Sequence, residues 1–188
     1  QTQEEIRLTA TSGIYGAHDW SSDGNQLAFV KQENCQQTEA RTDVCWRLQT
    51  LDFAAALKSP IEPVERLDCD KDRSSLPTWL NNGKILLLKK QNDELRLMSY
   101  DARSDQLSKF YTPENGRLYD FHYSPAANIV SVVLRDKKNR HYLEILDEQG
   151  QIIQHNLIRR PEGFSFYEDY AASFHPSGDF LITNSEKG

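Results

Sequence analysis

The stretch HDWSSDGNQLAFVKQ, residues 18–32, contains an aromatic residue, a short polar turn and then a run of apolar residues. The same order recurs in PTWLNNGKILLLKKQ (77–91), FHYSPAANIVSVVLR (121–135) and ASFHPSGDFLITNSE (172–186). Self-similarity at a spacing of roughly 20 to 50 residues is the sequence signature of a repeat architecture. The chain is therefore built from copies of one structural unit.

Each copy begins with a short strand that ends in an aromatic residue, and the four aromatic residues are Trp20, Trp79, Tyr123 and Phe174. We expect them to occupy equivalent buried positions against the apolar strand of the neighbouring unit. The turns that follow contain Asp-Gly, Asn-Gly or Pro, which supply the backbone conformations of tight hairpins. Because the third turn has no glycine, Asn128 is expected to adopt the left-handed conformation there.

An apolar run follows each turn: QLAFVK, KILLLKK, NIVSVVLR and DFLITN. Runs this short, bounded by turn residues, are typical of strands buried on both faces. In three copies a third strand alternates in polarity and ends in aspartate, and a more polar fourth strand follows, as expected of an edge. Four antiparallel strands in about 45 to 60 residues predict the blade of a β-propeller.

The fold class predicted is all-β, a propeller with about three and a half blades in a single domain, 1–188. Propellers typically have 4 to 8 blades, so we expect the chain to need missing sequence or a second copy to complete the ring. The apolar edge at 180–184 would make that contact. The blades are expected at approximately 13–70, 74–113, 117–160 and 165–188, with an additional N-terminal strand at 3–10.

The composition excludes several classes of protein. The net charge is −6 and no Lys/Arg run exceeds two residues, so we expect no direct binding of nucleic acid. Apolar runs such as 53–57 and 85–88 are far shorter than the ~20 residues of a membrane helix. A membrane connection would therefore need a segment outside this chain.

The three cysteines are Cys35, Cys45 and Cys69, and they lack the paired CxxC spacing of a zinc site. Cys35 and Cys45 bracket a long polar segment between two predicted strands. In an oxidising compartment we expect a disulfide between them, with Cys69 free. The alternative is three reduced thiols.

No nucleophile elbow, zinc-protease helix or phosphate-binding glycine loop is present, so we expect no catalytic activity and no cofactor or metal. His18 and His122 flank blade-opening aromatic residues and would lie near the propeller axis, as functional or as hydrogen-bonded structural residues. The segment 163–174 has five aromatic rings, more than one strand face can bury. A partner surface is predicted at Phe164, Phe166, Tyr167 and Tyr170.

The copies WSSDGNQLAF and FHPSGDFLIT resemble the PD40, or TolB-like, repeat of the WD40 type, whose typical form is WSPDGKxLAF. WLNNGKILLL keeps the frame without Pro-Asp, YSPAANIVSV lacks the glycine, and the opening EEIRLTATSG resembles the outer strand that precedes a blade. The resemblance implies a non-catalytic sensory or protein-interaction propeller, as in the periplasmic part of membrane-anchored winged-helix regulators of the CadC or ToxR type. The alternative is the gating propeller of a prolyl-oligopeptidase-like peptidase. Either role implies a protein partner or self-association.

Overall fold

The computed structural model describes residues 5–37, 42–69, 75–91, 94–138, 141–158, 172–179 and 181–183. Within these ranges the chain is almost entirely β, and its one helix is short. None of the helical structure described there is long and apolar enough to cross a membrane. Contacts divide the chain into two compact units, Gln1–Lys90 with Met98–Ser108, and Gln91–Leu97 with Lys109–Gly188.

The strands form three four-stranded antiparallel sheets and one two-stranded sheet. The first sheet has the order β1-β2-β3-β4 and is followed along the chain by a second with the order β5-β6-β7-β8. The third has the order β12-β11-β10-β9, and β13 pairs with β14. These sheets confirm the predicted all-β class built from four-stranded units. The strands are β1 Tyr15–Trp20, β2 Gln26–Gln37, β3 Thr42–Asp52, β4 Val64–Glu65, β5 Ser75–Trp79, β6 Lys84–Gln91, β7 Glu94–Asp101, β8 Gln106–Tyr111, β9 Arg117–Ser124, β10 Ile129–Arg135, β11 His141–Leu146, β12 Ile152–Ile158, β13 Ala172–Phe174 and β14 Leu181–Thr183.

The turn chemistry fixes the first hairpin of each sheet. Gly24, Gly83 and Gly178 have φ of 71°, 81° and 81°, a region that glycine enters without steric cost. Asn128 has φ of 55°, which confirms that it takes the left-handed position in the turn without glycine. Its backbone N–H donates to the Ser124 carbonyl at 2.8 Å. The turn residues thus set the register of the hairpins.

The blade-opening aromatic residues face corresponding positions of the next strand. The pairs are Trp20 with Leu27, Trp79 with Ile85, Tyr123 with Val130 and Phe174 with Leu181. Trp79 and Tyr123 are 7% and 5% exposed. The expected burial is wrong for Trp20, which is 41% exposed, and Phe174 is only partly buried.

Packing explains the difference between the two tryptophans. Trp79 belongs to a buried cluster with Ala28 and Leu48 of the first sheet. Trp20 instead packs edge-on against Phe53, with the ring centroids 4.7 Å apart, which leaves much of the indole open. Phe53 begins the helix α1, Phe53–Lys58, whose N-cap Asp52 accepts a hydrogen bond from the Ala55 N–H.

The disulfide joins Cys45 to Cys69, with their Cα atoms 5.5 Å apart. The predicted pairing of Cys35 with Cys45 is therefore wrong, and Cys69 is not free. In the β2–β3 hairpin Glu33 lies opposite Cys45, and the register shifts between Asn34 and Gln36. Cys35 thus lies at the irregularity, two positions beyond the residue that faces Cys45.

The N-terminal segment makes contacts in the first unit. Thr9 forms an isolated parallel bridge with Ile61, and the Ala10 N–H donates to the Ile61 carbonyl at 2.9 Å. Leu8 packs on a buried cluster that contains Phe29 and Leu51. Within the first unit, the described part of the segment expected at 3–10 therefore contacts the loop before β4, and Leu8 is partly buried there.

Candidate functional site

The structure describes only some of the predicted site residues. His18 and His122 are both exposed, and the His122 ring lies 6.2 Å from that of Phe174. Phe164, Phe166, Tyr167 and Tyr170 lie outside the described residues. Within the part of the chain that is described, no group of three or more His, Cys, Asp or Glu residues could hold a metal ion.

A polar cluster of Tyr111, Glu144 and His155 lies in the second unit. Glu144 is 6% exposed in β11 and Tyr111 is 5% exposed at the end of β8. The Tyr111 hydroxyl donates to Glu144 Oε2, and His155 Nδ1 lies 2.7 Å from Glu144 Oε1. Both carboxylate oxygens therefore have partners, as burial of a carboxylate requires.

The cluster has a defined electrostatic effect. Burial, together with the hydrogen bond and charge of Glu144, raises the pKa of Tyr111 well above its usual value. The phenol therefore remains protonated and continues to donate to the carboxylate at any physiological pH.

His155 is the exposed end of this cluster. It lies directly opposite Glu144 in the β11–β12 pair, and its ring is 5.1 Å from that of Tyr142. The imidazole side chain is 53% exposed and borders a groove of about 590 Å³ that Gly116 and Lys137 also line. The arrangement can hold an imidazole in a fixed orientation at the protein surface.

Sequence reasoning missed this cluster, although one signal was present. In the alternating strand HYLEIL, Glu144 shares a face with Leu146, which is fully buried. An acidic residue on the apolar face of a strand requires a buried partner. The partner, in contrast, depends on strand register and could not be inferred.

An apolar groove in the first unit is the second candidate surface, and we call it the Trp20 groove. Its volume is about 490 Å³. Two residues on its rim, Ile6 and Trp20, are 57% and 41% exposed. The apolar residues that line it are Ile6, Leu8, Trp20, Leu27, Phe29 and Leu51, with Arg7 and His18 among the polar ones.

Comparison with known proteins supports the fold. No family model matches the chain, and no curated protein matches it. TolB from Acinetobacter baumannii is similar in structure with a TM-score of 0.63 and 14% identity, over 93% of this chain and 38% of that one. An oligogalacturonate lyase in complex with manganese matches with a TM-score of 0.69 and 13% identity, over 98% of this chain and 51% of that one.

A third similar structure is the β-propeller domain of the Trilobed protease from Pyrococcus furiosus, with a TM-score of 0.53 and 12% identity. That match covers 80% of this chain and 44% of the other. The chain thus spans about half or less of the length of these three proteins, and at such low identity the likeness concerns the fold alone. The chain has a TolB-like β-propeller fold, and its sheets correspond to part of such a propeller.

Proposed function

We propose that this chain is a non-catalytic sensory or protein-interaction module, the extracytoplasmic propeller of a membrane-anchored transcriptional regulator. The observation that carries the location is the Cys45–Cys69 disulfide, in which Cys45 is 1% exposed. Structural disulfides form and persist in oxidising compartments such as the periplasm. The membrane anchor and the DNA-binding part would lie outside this chain.

The surface that we propose for the protein partner is the Trp20 groove. Apolar side chains that are this exposed and this close together are typical of interaction surfaces. Tryptophan is also among the residues that contribute most to binding energy at interfaces. The partner would present an apolar face that buries Ile6 and Trp20, which are more than two fifths exposed.

The alternative is the non-catalytic gating propeller of a larger peptidase. Its support is the structural similarity to the propeller domain of the Trilobed protease, which concerns the fold. A gating propeller would also be joined to a catalytic domain in the same chain, and that domain would need sequence outside these residues.

The coding sequence on both sides of the chain separates the two proposals. A winged helix and a transmembrane segment before Gln1 would support the regulator. An α/β-hydrolase segment with a GxSxG motif after Gly188 would support the peptidase. Neither proposal would survive if both flanks lacked these features.

The partner surface can be tested in the cells of the source organism by photo-crosslinking. A benzophenone amino acid replaces Trp20, and the matched control carries it at Tyr119, an aromatic residue that is 48% exposed in the other unit. We expect a protein adduct from position 20 and none from position 119. Equal adducts at both positions, or none at position 20, would contradict this surface.

A further inference from the structure

A polar cavity of about 400 Å³ lies within the first unit, where loops of its sheets meet. The β1–β2 turn, the β5–β6 turn and the β7–β8 turn surround it, and Thr50 and Leu80, both 1% exposed, are among its buried lining residues. The volume is within the range of small-molecule sites in proteins, about 300 to 1,000 Å³. We call it the arginine cavity, after Arg66 and Arg103 in its lining.

Arg66 is held in place by a buried partner. Its Nε donates to Thr50 Oγ1 at 2.7 Å, and its backbone N–H donates to the Leu48 carbonyl at 3.0 Å. Arg66 also lowers the pKa of Tyr100 against the larger effects of burial and of Asp105, whose Oδ1 accepts a hydrogen bond from the Tyr100 hydroxyl at 2.5 Å. Among the described residues its guanidinium has no carboxylate within ion-pair distance. The guanidinium is therefore held in place without a direct ion pair among those residues.

Arg103 approaches the cavity from the β7–β8 turn. Its backbone N–H donates to Asp101 Oδ1 at 2.9 Å, which fixes the turn. Its Nη2 lies beside Gly83, 3.9 Å from the position that a Cβ would take there. Within the described ranges Arg103 also lacks an ion-pair partner. Two guanidinium groups without a described counter-ion thus line the same cavity.

The remaining lining sets the net charge of the cavity. Asp23 is its one acidic residue, and hydrogen bonds from Ser21 and Asn25 lower its pKa to about 2. Asp23 is therefore ionised at neutral pH, so that the lining residues together carry one net positive charge. Trp79 adds a buried indole N–H for which the described structure provides no acceptor.

We propose that the arginine cavity binds an organic monocarboxylate that also carries hydroxyl or ammonium groups. The planar guanidinium fork matches a carboxylate, and a single negative charge balances the lining. A dianion such as phosphate would be left with excess negative charge beside Asp23. The hydroxyl or ammonium groups would donate to Asp23 and to the side chains of Ser22 and Asn82.

This chemistry is shared by peptide C-termini and sugar acids, and the experiment distinguishes these two sources. The probes are trialanine against trialanine amide, and gluconate against sorbitol, so that each pair differs in the carboxylate. Inorganic phosphate is a fifth probe. Each is titrated to about 10 mM into the ¹⁵N-labelled 188-residue chain, and the NMR signals of Gly83, Arg103 and the Trp79 indole N–H are followed.

We expect at least one carboxylate probe to shift these signals, and its carboxylate-free partner to leave them unchanged. Arg103→Gln should weaken that binding about tenfold or more, the effect of losing a charge-assisted hydrogen bond. Arg117→Gln, at an exposed position of the other unit, is the matched control and should change nothing. The probe that binds more tightly identifies the source.

The proposal is overturned if neither carboxylate shifts these signals, or if the amide or sorbitol shifts them equally. Tighter binding of phosphate, or carboxylate binding that survives Arg103→Gln unchanged, would also overturn it. These results do not depend on the flanking sequence or on a protein partner. A result that overturns ligand binding in the arginine cavity can therefore be distinguished from one that overturns the proposed role as a regulator module.

Discussion

Reduction of the Cys45–Cys69 disulfide should lower the free energy of unfolding by about 3.5 kcal/mol. The two cysteines are 24 residues apart, and the chain-entropy model gives ~3.5 kcal/mol at 25 °C for a closed loop of this length. Reduction leaves both sulfur atoms in the protein, so that no large cavity forms. The change in the free energy of unfolding therefore reports the contribution of the cross-link alone, whereas a cysteine substitution would also remove packed atoms.

The assay is urea unfolding of protein made under oxidising conditions, with and without a reductant, followed by tryptophan fluorescence. The oxidised protein should unfold at a higher urea concentration, and it should show one reactive thiol after denaturation. Peptide mapping should assign that thiol to Cys35. The urea dependence should also become steeper on reduction, since the unlinked chain exposes more surface when it unfolds.

Cys35→Ser is the matched control, because this residue takes no part in the bond between Cys45 and Cys69. The variant should have no reactive thiol when oxidised and should respond to the reductant as the natural chain does. The reasoning is refuted if reduction changes the unfolding free energy by less than ~0.5 kcal/mol, the usual scale of a neutral surface change. Loss of the reductant effect in Cys35→Ser would refute the assigned pairing.

Four further outcomes are expected. Trp79→Ala should cost ~3 to 5 kcal/mol in urea unfolding and Trp20→Ala much less, since the two residues are 7% and 41% exposed; equal costs would contradict the packing. Asn128→Ala should destabilise more than Asn128→Gly, by about 1 to 2 kcal/mol, because φ is 55° there; the same assay measures it. Since the pKa of Tyr111 is raised on folding, its stabilisation is complete below the unfolded value near pH 10 and is lost above it. Tyr111→Phe should therefore flatten the alkaline fall of the unfolding free energy between about pH 9 and 11, and an unchanged profile would contradict this. The edge of β14 stays a prediction: the natural chain should self-associate in light scattering and Leu181→Lys should reduce this, whereas a compact, stable monomer of the natural chain would contradict it.

The hairpins could be predicted because their determinants are local. A turn residue such as Gly24 or Asn128 acts through its own backbone angles, which no distant contact needs to supply. The apolar run 85–88 was also sufficient to predict a strand buried on both faces, and its residues are at most 3% exposed. Sequence therefore predicts the blade well, because each blade repeats the same local chemistry.

Burial of Trp20 could not be predicted in the same way. Its place in the hairpin corresponds to that of Trp79, yet only Trp79 is enclosed within the core that the first two sheets share. The repeat determines the position of a residue in its strand, whereas the neighbouring elements determine how far its side chain is buried. The helix α1, an insertion in the first repeat, provides Phe53 as the neighbour of Trp20 instead.

The side-chain clusters depend on single-residue irregularities between strands. In the β11–β12 hairpin Leu146 lies opposite Ile152, and continuation of this register would place Gln154 opposite Glu144. The register shifts between Ile145 and Leu146, so His155 takes that position and reaches the buried carboxylate at 2.7 Å. The β2–β3 pair has a similar irregularity between Asn34 and Gln36, at Cys35. Because a bulge re-aims the side chains beyond it, and its position is not set by local propensity, the Glu144 cluster required the structure. The disulfide required it as well, because its two cysteines are 24 residues apart and their approach is not a local property of the sequence.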